Sequence, residues 1–284
     1  MGLGKLGAPL AAVMAQVGHE VWGMDLNPEA VKKTNEGLAP VQEPQLQDFI
    51  AQSAGRLRAT CDMAEAISAT DITFVIVPTP SQQDGSFSND YIVAALTAVG
   101  ESLRAKTGYH LVVISSTVMP GSMDSEISEI LAQASGKVIG SSDLGLCYNP
   151  EFIALGNVIN NMQHPDFLLI GESDPRAGNL LESLHASVCQ NTPAYHRMNF
   201  INAEITKISV NTYVTTKISY ANMLAEVCEN LPGADVDVVT DAVGSDSRIG
   251  KKYLKGAIGY GGPCFPRDNK AFAVMAARLG AAGD

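Results

Sequence analysis

The sequence predicts an α/β protein in which a doubly wound parallel sheet is followed by an all-α segment built on one long helix. Three observations predict it. Through the first 200 residues, short β-branched runs alternate with amphipathic stretches, the pattern of parallel strands joined by crossover helices. Between Phe200 and Leu231 neither Pro nor Gly occurs, which fits a single helix of about 45 Å. Gly2, Gly4 and Gly7 stand just ahead of the first helical stretch, at a spacing that suits a tight turn into a helix.

In order along the chain, residues 6–17 read as a helix opening from these glycines. Strands are expected at 20–26 (EVWGMDL), 72–77 (ITFVIV), 110–115 (HLVVIS), 144–148 (LGLCY) and 167–171 (FLLIG). The run at 72–77 is almost continuously apolar, as burial on both faces of a parallel sheet requires. Helical patterns lie between them at 28–35, 43–52, 90–105, 121–134 and 174–188. The long helix then runs from Phe200 to Leu231, where Pro232 and Gly233 stop it. A short helix at 235–243, a Lys- and Gly-rich loop at 250–268 and a last helix at 269–279 follow. A boundary falls near Asn199, giving domains at 1–198 and 199–284. A helix as long as the one at 200–231 usually spans domains or pairs with a copy of itself, and a homodimer through it is expected.

At about 150 residues per domain, 284 residues suit two domains or one large one. A 46% hydrophobic content excludes disorder, and 26 Gly and 14 Pro without a repeat exclude a collagen-like chain. Lys and Arg number 19 against 30 Asp and Glu, and the resulting charge of −11 argues against nucleic acid or anionic lipid as partner. No apolar run approaches the roughly 18 residues of a membrane span. Cys61, Cys147, Cys189, Cys228 and Cys264 are odd in number and never form a CxxC pair, so neither a disulfide framework nor a zinc site is suggested. Residues 6–17 after Lys5 imitate a signal peptide, but Gly7 and Pro9 interrupt the apolar region. Met1-Gly2 imitates a myristoylation site, but Leu6 stands where Ser or Thr is needed. The cytoplasm is the expected compartment.

Gly2-Leu3-Gly4-Lys5-Leu6-Gly7 fits GxGxxG, whose glycines permit a tight turn, close approach of backbone to a pyrophosphate, and helix–strand packing. A strand follows the helix, and Asp25 closes it 18 residues after Gly7, where an acid suits the ribose hydroxyls of NAD and repels the 2′-phosphate of NADP. A strand should precede this fingerprint. Because Met1 leaves no room for it, the expectation is a chain lacking its first, central strand, with two neighbours left unpaired.

A second informative stretch is GYGGPCFPRD, residues 259–268. Its adjacent glycines expose backbone amides, and Cys264 and Asp268 stand four apart at the mouth of the last helix. The positive end of a helix dipole favours a thiolate, which makes Cys264 a candidate nucleophile, with a buried structural cysteine as the alternative. Lys207 and Asn211, at i and i+4, share one face of the long helix. They suit stabilisation of an oxyanion, with an ordinary solvated face as the alternative.

Together these features resemble the nucleotide-sugar dehydrogenases. Beyond the glycines and Asp25, the resemblance rests on Val77-Pro78-Thr79-Pro80, Ser115-Ser116-Thr117, Asn149-Pro150-Glu151-Phe152, Ala203-Glu204 leading to Lys207 and Asn211, Arg248-Ile249-Gly250 and GYGGPCFPRD. It covers nearly the whole chain. It implies a Rossmann-type domain that binds NAD through Gly2, Gly4, Gly7, Asp25, Pro78, Thr79, Ser116, Thr117 and Arg267. It also implies four-electron oxidation of a sugar C6 alcohol to a carboxylate, with UDP-glucose to UDP-glucuronate as the expected case. Cys264 would carry a thiohemiacetal and then a thioester. Lys207 and Asn211 would steady the oxyanions, Asp268 and a water near Thr117 would handle protons, and Glu151 would act as base in thioester hydrolysis. Glu151, Phe152, Lys207, Asn211, Arg248, Tyr253, Lys255, Tyr260 and Gly261 fall at positions that hold the nucleotide-sugar substrate. No metal is implied.

Leu155 stands where the family usually carries a second Glu, and Phe167 where it usually carries Arg. Family members also continue into a further domain that closes over the sugar nucleotide, so a chain truncated at both ends is expected. A β-hydroxyacid dehydrogenase-like enzyme, oxidising once and needing no cysteine, is the alternative enzyme class. An inactive dimerising fragment is the non-enzymatic one.

Overall fold

Helix starts are written locally in this chain by capping side chains. Asn27, Asp62, Asp174 and Asp235 each accept a hydrogen bond from a backbone N–H two residues on, and proline occupies the first turn after Asn27 and Asp174. The computed structural model describes residues 1–53 and 55–281. Its elements are α1 (Gly7–Gln16), β1 (Val21–Met24), α2 (Pro28–Asn35), α3 (Leu46–Gln52), β2 (Leu57–Thr60), α4 (Met63–Ser68), β3 (Ile72–Val75), α5 (Asp90–Leu103) and β4 (His110–Ile114). A π-helical turn at Met123–Ile127 then runs into α6 (Ser128–Ser135). After it come β5 (Leu144–Tyr148), α7 (Val158–Gln163), β6 (Phe167–Glu172), α8 (Pro175–Val188), β7 (Ala194–Met198), α9 (Phe200–Glu229), α10 (Val236–Gly244) and α11 (Phe265–Arg278).

Two compact units emerge: Met1–Pro80 with Ser88–Glu204, and Ser81–Phe87 with Ile205–Asp284. In the first, β1 and β2 form a parallel pair, and β3-β4-β5-β6-β7 form a second sheet. β4 and β5 are buried along their whole length between helices, which explains their unbroken apolar character. One pairing departs from the expected parallel order: β5 and β6 run antiparallel, with Cys147 opposite Glu172. β2 and β7 escape a reading by apolar runs because Arg58, His196 and Arg197 interrupt them, and β7 is only partly covered.

Between β1 and β3 lies a slot one strand wide. Val21 and Asp25 turn their N–H groups to Arg56 O and Thr60 O on the β2 side, so Trp22 and Met24 face the slot. Met1 and Gly2 fill only its end. The Met1 amine donates to Phe74 O at 2.7 Å, Ile76 N–H donates to Met1 O at 3.0 Å, and Gly2 N–H donates to Met24 O at 2.8 Å. The remaining cavity, about 340 Å³, is lined by residues including Leu10, Met14, Trp22, Ile67, Phe74 and Leu184. Burial pushes the Met1 amine down to about 6.

The second unit holds most of α9 with α10 and α11. It is not wholly helical, since residues 81–87 join it as a small hairpin bridged between Ser81 and Phe87. That hairpin is pinned by Asp84 to Arg278 at 2.7 Å and by Gly85, whose φ of +94° turns it against Lys270. The last helix begins at Phe265, four residues ahead of the predicted start, because Pro266 sits comfortably in a first turn. No helix among the described residues is long and apolar enough to cross a membrane.

Candidate active site

In the first unit the chemistry gathers on the loops after the strands. A Cβ on Gly7 would lie 1.7 Å from Gly2 O, and one on Gly2 would meet Ile76 O at 2.3 Å. These two glycines are required by the fold itself. A Cβ on Gly4 would meet nothing within 4 Å, so the turn leaves open space over Gly4 at the start of α1, where a pyrophosphate has room beside free amides. Asp25 follows β1 directly. Its carboxylate accepts Leu3 N–H at 2.6 Å and Asn27 N–H at 2.8 Å, which fixes it against the glycine turn. The arrangement fits a dinucleotide.

Two further loops are laced together. Ser116 Oγ accepts from Val77 N–H at 2.9 Å and donates to Val77 O at 2.7 Å, while Thr79 Oγ1 donates to Thr117 O at 2.8 Å. Pro78 is exposed, Thr79 buried and Thr117 half-buried. The Ser116 hydroxyl is thus committed to the protein backbone.

Glu151 and Phe152 follow β5 and are half-buried. Asn149, 1% exposed, roots their loop: its N–H donates to Ile114 O, its carboxamide N–H to Leu169 O at 3.0 Å, and its Oδ1 lies 2.7 Å from His185 Nε2. Burial pushes His185 down to about 4, so the ring is neutral and donates from Nε2. Phe167, the apparent departure from the family pattern, packs its ring on Phe152 at 4.7 Å and on His196 at 5.7 Å. Leu155 is 51% exposed on a loop whose Gly156 and Val158 amides are held by Glu43.

The second unit carries Lys207, Asn211, Cys264 and Asp268 of the predicted catalytic residues, while Thr117 and Glu151 belong to the first. Asn211 Nδ2 donates to Asp268 Oδ2 at 2.6 Å, and Arg267 Nε approaches Asp268 Oδ1 at 3.4 Å. Asp268 is buried on α11 one turn beyond Cys264, which is exposed at the N-cap. Lys207, one turn before Asn211, is buried. The Arg267 guanidinium lies over the Phe87 ring at 4.4 Å. Asn269 extends the network, donating to Tyr260 OH at 2.9 Å and accepting from Thr215 at 3.0 Å. Gly261 is open, Lys255 exposed, and Tyr253 exposed in left-handed backbone at φ +63°. Arg248 is exposed and paired with Asp246 at 2.6 Å.

Glu43, His185 and Lys217 were not singled out by the motifs, and Glu204 entered only within the Ala203-Glu204 run, with no role given to it. Lys217 donates to the carbonyls of Ile249 and Gly250 and so holds the Arg248–Gly250 turn. Each acts on a partner at least 32 residues away, which no local spacing reveals.

Residues 1–189 match the NAD binding domain of the UDP-glucose/GDP-mannose dehydrogenase family, and residues 201–283 match its central domain. The chain belongs to this family. It is 37% identical over 281 residues to the UDP-glucose 6-dehydrogenase AglM of Haloferax volcanii, covering 98% of this chain and 64% of that protein. It is 34% identical to the GDP-mannose 6-dehydrogenase of Pseudomonas syringae pv. syringae, covering 98% and 63%. The structure of a UDP-glucose dehydrogenase from Pyrobaculum islandicum superposes with a TM-score of 0.90 at 36% identity, covering 98% of this chain and 63% of that one. The chain therefore spans a little under two thirds of the length of these relatives. The cofactor of the family's N-terminal domain is NAD.

Proposed function

We propose that this chain carries the cofactor-binding and covalent machinery of a nucleotide-sugar 6-dehydrogenase, which oxidises a C6 alcohol to a carboxylate in two steps. The observation that carries the reading is the bonded pair Asn211–Asp268 one helical turn from an exposed Cys264. A cysteine is needed because the first oxidation gives an aldehyde, and covalent capture retains it and presents a carbon that can lose a second hydride. NAD, when bound, supplies the hydride acceptor for both oxidations.

Residues 1–198 would bind NAD on Gly2, Gly4, Gly7, Asp25, Pro78, Thr79, Ser116 and Thr117, with Arg267 contributing from residues 199–284. The Cys264 thiolate adds to the aldehyde and forms a thiohemiacetal, whose oxidation leaves a thioester. Lys207 and Asn211 stabilise the successive oxyanions, the first by charge and the second by its carboxamide N–H. Asp268 and a water near Thr117 move the protons of the alcohol and hemiacetal. Glu151 takes a proton from the water that cleaves the thioester and frees Cys264. Phe152, Arg248, Tyr253, Lys255, Tyr260 and Gly261 hold the substrate, the cations being suited to its diphosphate.

UDP-glucose is the proposed substrate, supported by the 37% identity to a UDP-glucose 6-dehydrogenase. GDP-mannose is the second reading, supported by 34% identity to an enzyme named for it. Homodimerisation through α9 is proposed because Tyr213, Tyr220, Met223 and Val227 leave an exposed apolar stripe at helical spacing. The cytoplasm is the proposed compartment, in keeping with five free cysteines.

The test is an NADH assay over UDP-glucose, GDP-mannose and UDP-N-acetyl sugars. Two NADH per sugar are expected from one of these, and Cys264→Ser should abolish the second. One NADH per turnover, unaffected by Cys264→Ser, would support a β-hydroxyacid dehydrogenase-like reaction instead. A folded dimer without turnover on any of them would make the chain a dimerising fragment.

A further inference from the structure

Glu204 is a fully buried acid for which the proposed reaction has no use. It stands on α9 four residues after Phe200, and its two oxygens accept Gly121 N–H at 2.7 Å and Met123 N–H at 2.8 Å. Ser122 N–H between them turns to Met119 O at 3.0 Å, so the Gly121 and Met123 amides converge on one carboxylate. This is an anion nest. It requires Gly121 at φ +95°, a conformation that side chains resist. Immediately after the nest the backbone is irregular, with Ser125 at φ −115°, ψ −106° inside the π-helical turn. Glu204 thus takes up the Gly121 and Met123 N–H groups, while the carbonyls of Ser122 and Met123 are met inside the turn by Ile127 and Ser128 N–H. Immediately before the nest lies the strand exit that carries Ser116 and Thr117.

We propose that Glu204 is a positioning residue for the cofactor loop: by filling the nest at residues 121–123 it fixes where Ser116 and Thr117 stand. The proposal deepens the reading that this loop contacts NAD and rests on it. Charge around the carboxylate is sparse. Asp124 faces it from the π-helical turn and adds like charge, and Lys207 follows three residues along its own helix. Burial is the largest influence and pushes Glu204 up to about 7, against the Gly121 and Met123 amide bonds that favour the anion.

The sign follows from linkage. With the latch closed the acid titrates near 7, and with the latch open and solvated it titrates near its ordinary 4.5. A proton therefore favours the closed latch, which loosens as pH rises from 4.5 to 7 and no further above it. The 2.5-unit gap bounds the loosening at about 300-fold.

The experiment follows amide exchange at residues 121–123, corrected for intrinsic rates, together with the NAD dissociation constant between pH 5 and 8. In the wild-type chain both should rise as pH climbs to 7 and level off above it. Glu204→Gln, which loses one acceptor, should weaken NAD binding by roughly 5- to 10-fold and abolish the pH dependence of both readouts. Glu204→Asp should keep the pH dependence at weaker affinity. Identical pH profiles in wild type and Glu204→Gln, or wild-type exchange that does not respond to pH, would overturn the proposal. Thr117→Ala separates it from the reading beneath. If that variant binds NAD normally, the loop does not contact the cofactor, while the exchange measurement still decides whether Glu204 holds the nest.

Discussion

The side chain of Asn211 on α9 donates to that of Asp268 on α11 across 2.6 Å, and the acid is 1% exposed. A neutral amide thus holds a buried carboxylate, and exchanging the two groups should be tolerated where changing either alone is not. Asn211→Asp would place two carboxylates within 3 Å, which cannot both ionise. We expect that variant to lose about 1–3 kcal/mol of stability, read from its melting temperature. The double exchange Asn211→Asp with Asp268→Asn should restore most of the melting temperature without restoring NADH formation. Additive losses in the double variant would show that the pair is not coupled.

The glycine turn separates a folding requirement from a binding requirement. Gly7→Ala drives a methyl into Gly2 O, so loss of the melting transition, or a fall of several degrees, is expected. Gly4→Ala meets nothing in the protein and should melt normally. It should nevertheless weaken NAD by at least tenfold, about 1.4 kcal/mol, by filling the space a pyrophosphate needs. Calorimetric melting and NAD titration of both variants check this, and a Gly4→Ala chain that binds NAD normally would remove the turn from the site.

What was legible in the sequence was local. The runs that became β3, β4, β5 and β6 are apolar and largely buried, and the Pro- and Gly-free stretch became α9. Asn211 and Asp268 were each found by motif. Their bond was not, because 57 residues separate them and nothing local encodes the register of α9 against α11. β7 hid behind His196 and Arg197, the guanidinium of Arg197 being met by Glu172 and Glu182 rather than by solvent alone. The antiparallel turn of β6 was also illegible, since its apolar run reads the same in either direction. Phe167 looked like a loss when set against the usual Arg. Its ring instead packs on Phe152, a contact that only the folded chain displays.

Two buried histidines give the first unit an acid limit. His110 is held at about 3 and His185 at about 4, in each case chiefly by burial, so both are neutral when folded. Unfolded, they titrate near 6.5. The unfolded chain therefore binds more protons below that pH, and stability is lost as pH falls from about 6.5 toward 4. For His185 the loss amounts to on the order of 3 kcal/mol. Glu204 acts in the opposite direction over 4.5–7, so the two effects should be separated by variants. His185→Gln, which can still donate to Asn149, should flatten the acid limb of a urea-midpoint profile. An unchanged acid limb would mean that His185 is solvated in solution.

The slot between β1 and β3 is the feature whose occupation should change stability most. Its walls are apolar, and its edges, Trp22 and Met24 on one side and Ile72 and Phe74 on the other, offer backbone groups in parallel register. Met1 already makes the last rung with an amine where a peptide amide would serve. Because burial lowers that amine to about 6 from 8, the unfolded chain binds more protons between these values, and stability should rise as pH climbs from 6 to 8. Appending five β-branched apolar residues to Met1 would replace the amine by an amide, fill the cavity and pair both edges. The expected result is a melting temperature higher by several degrees, about 2–4 °C for each kcal/mol gained, and loss of the slope between pH 6 and 8. Trp22, the single tryptophan of the chain, lines the slot and should report occupation by a blue-shifted emission. A proline-interrupted extension of equal length supplies the control, since it cannot complete the ladder. Equal melting temperatures for the two extensions, with Trp22 emission unmoved, would show that the slot does not accept a strand.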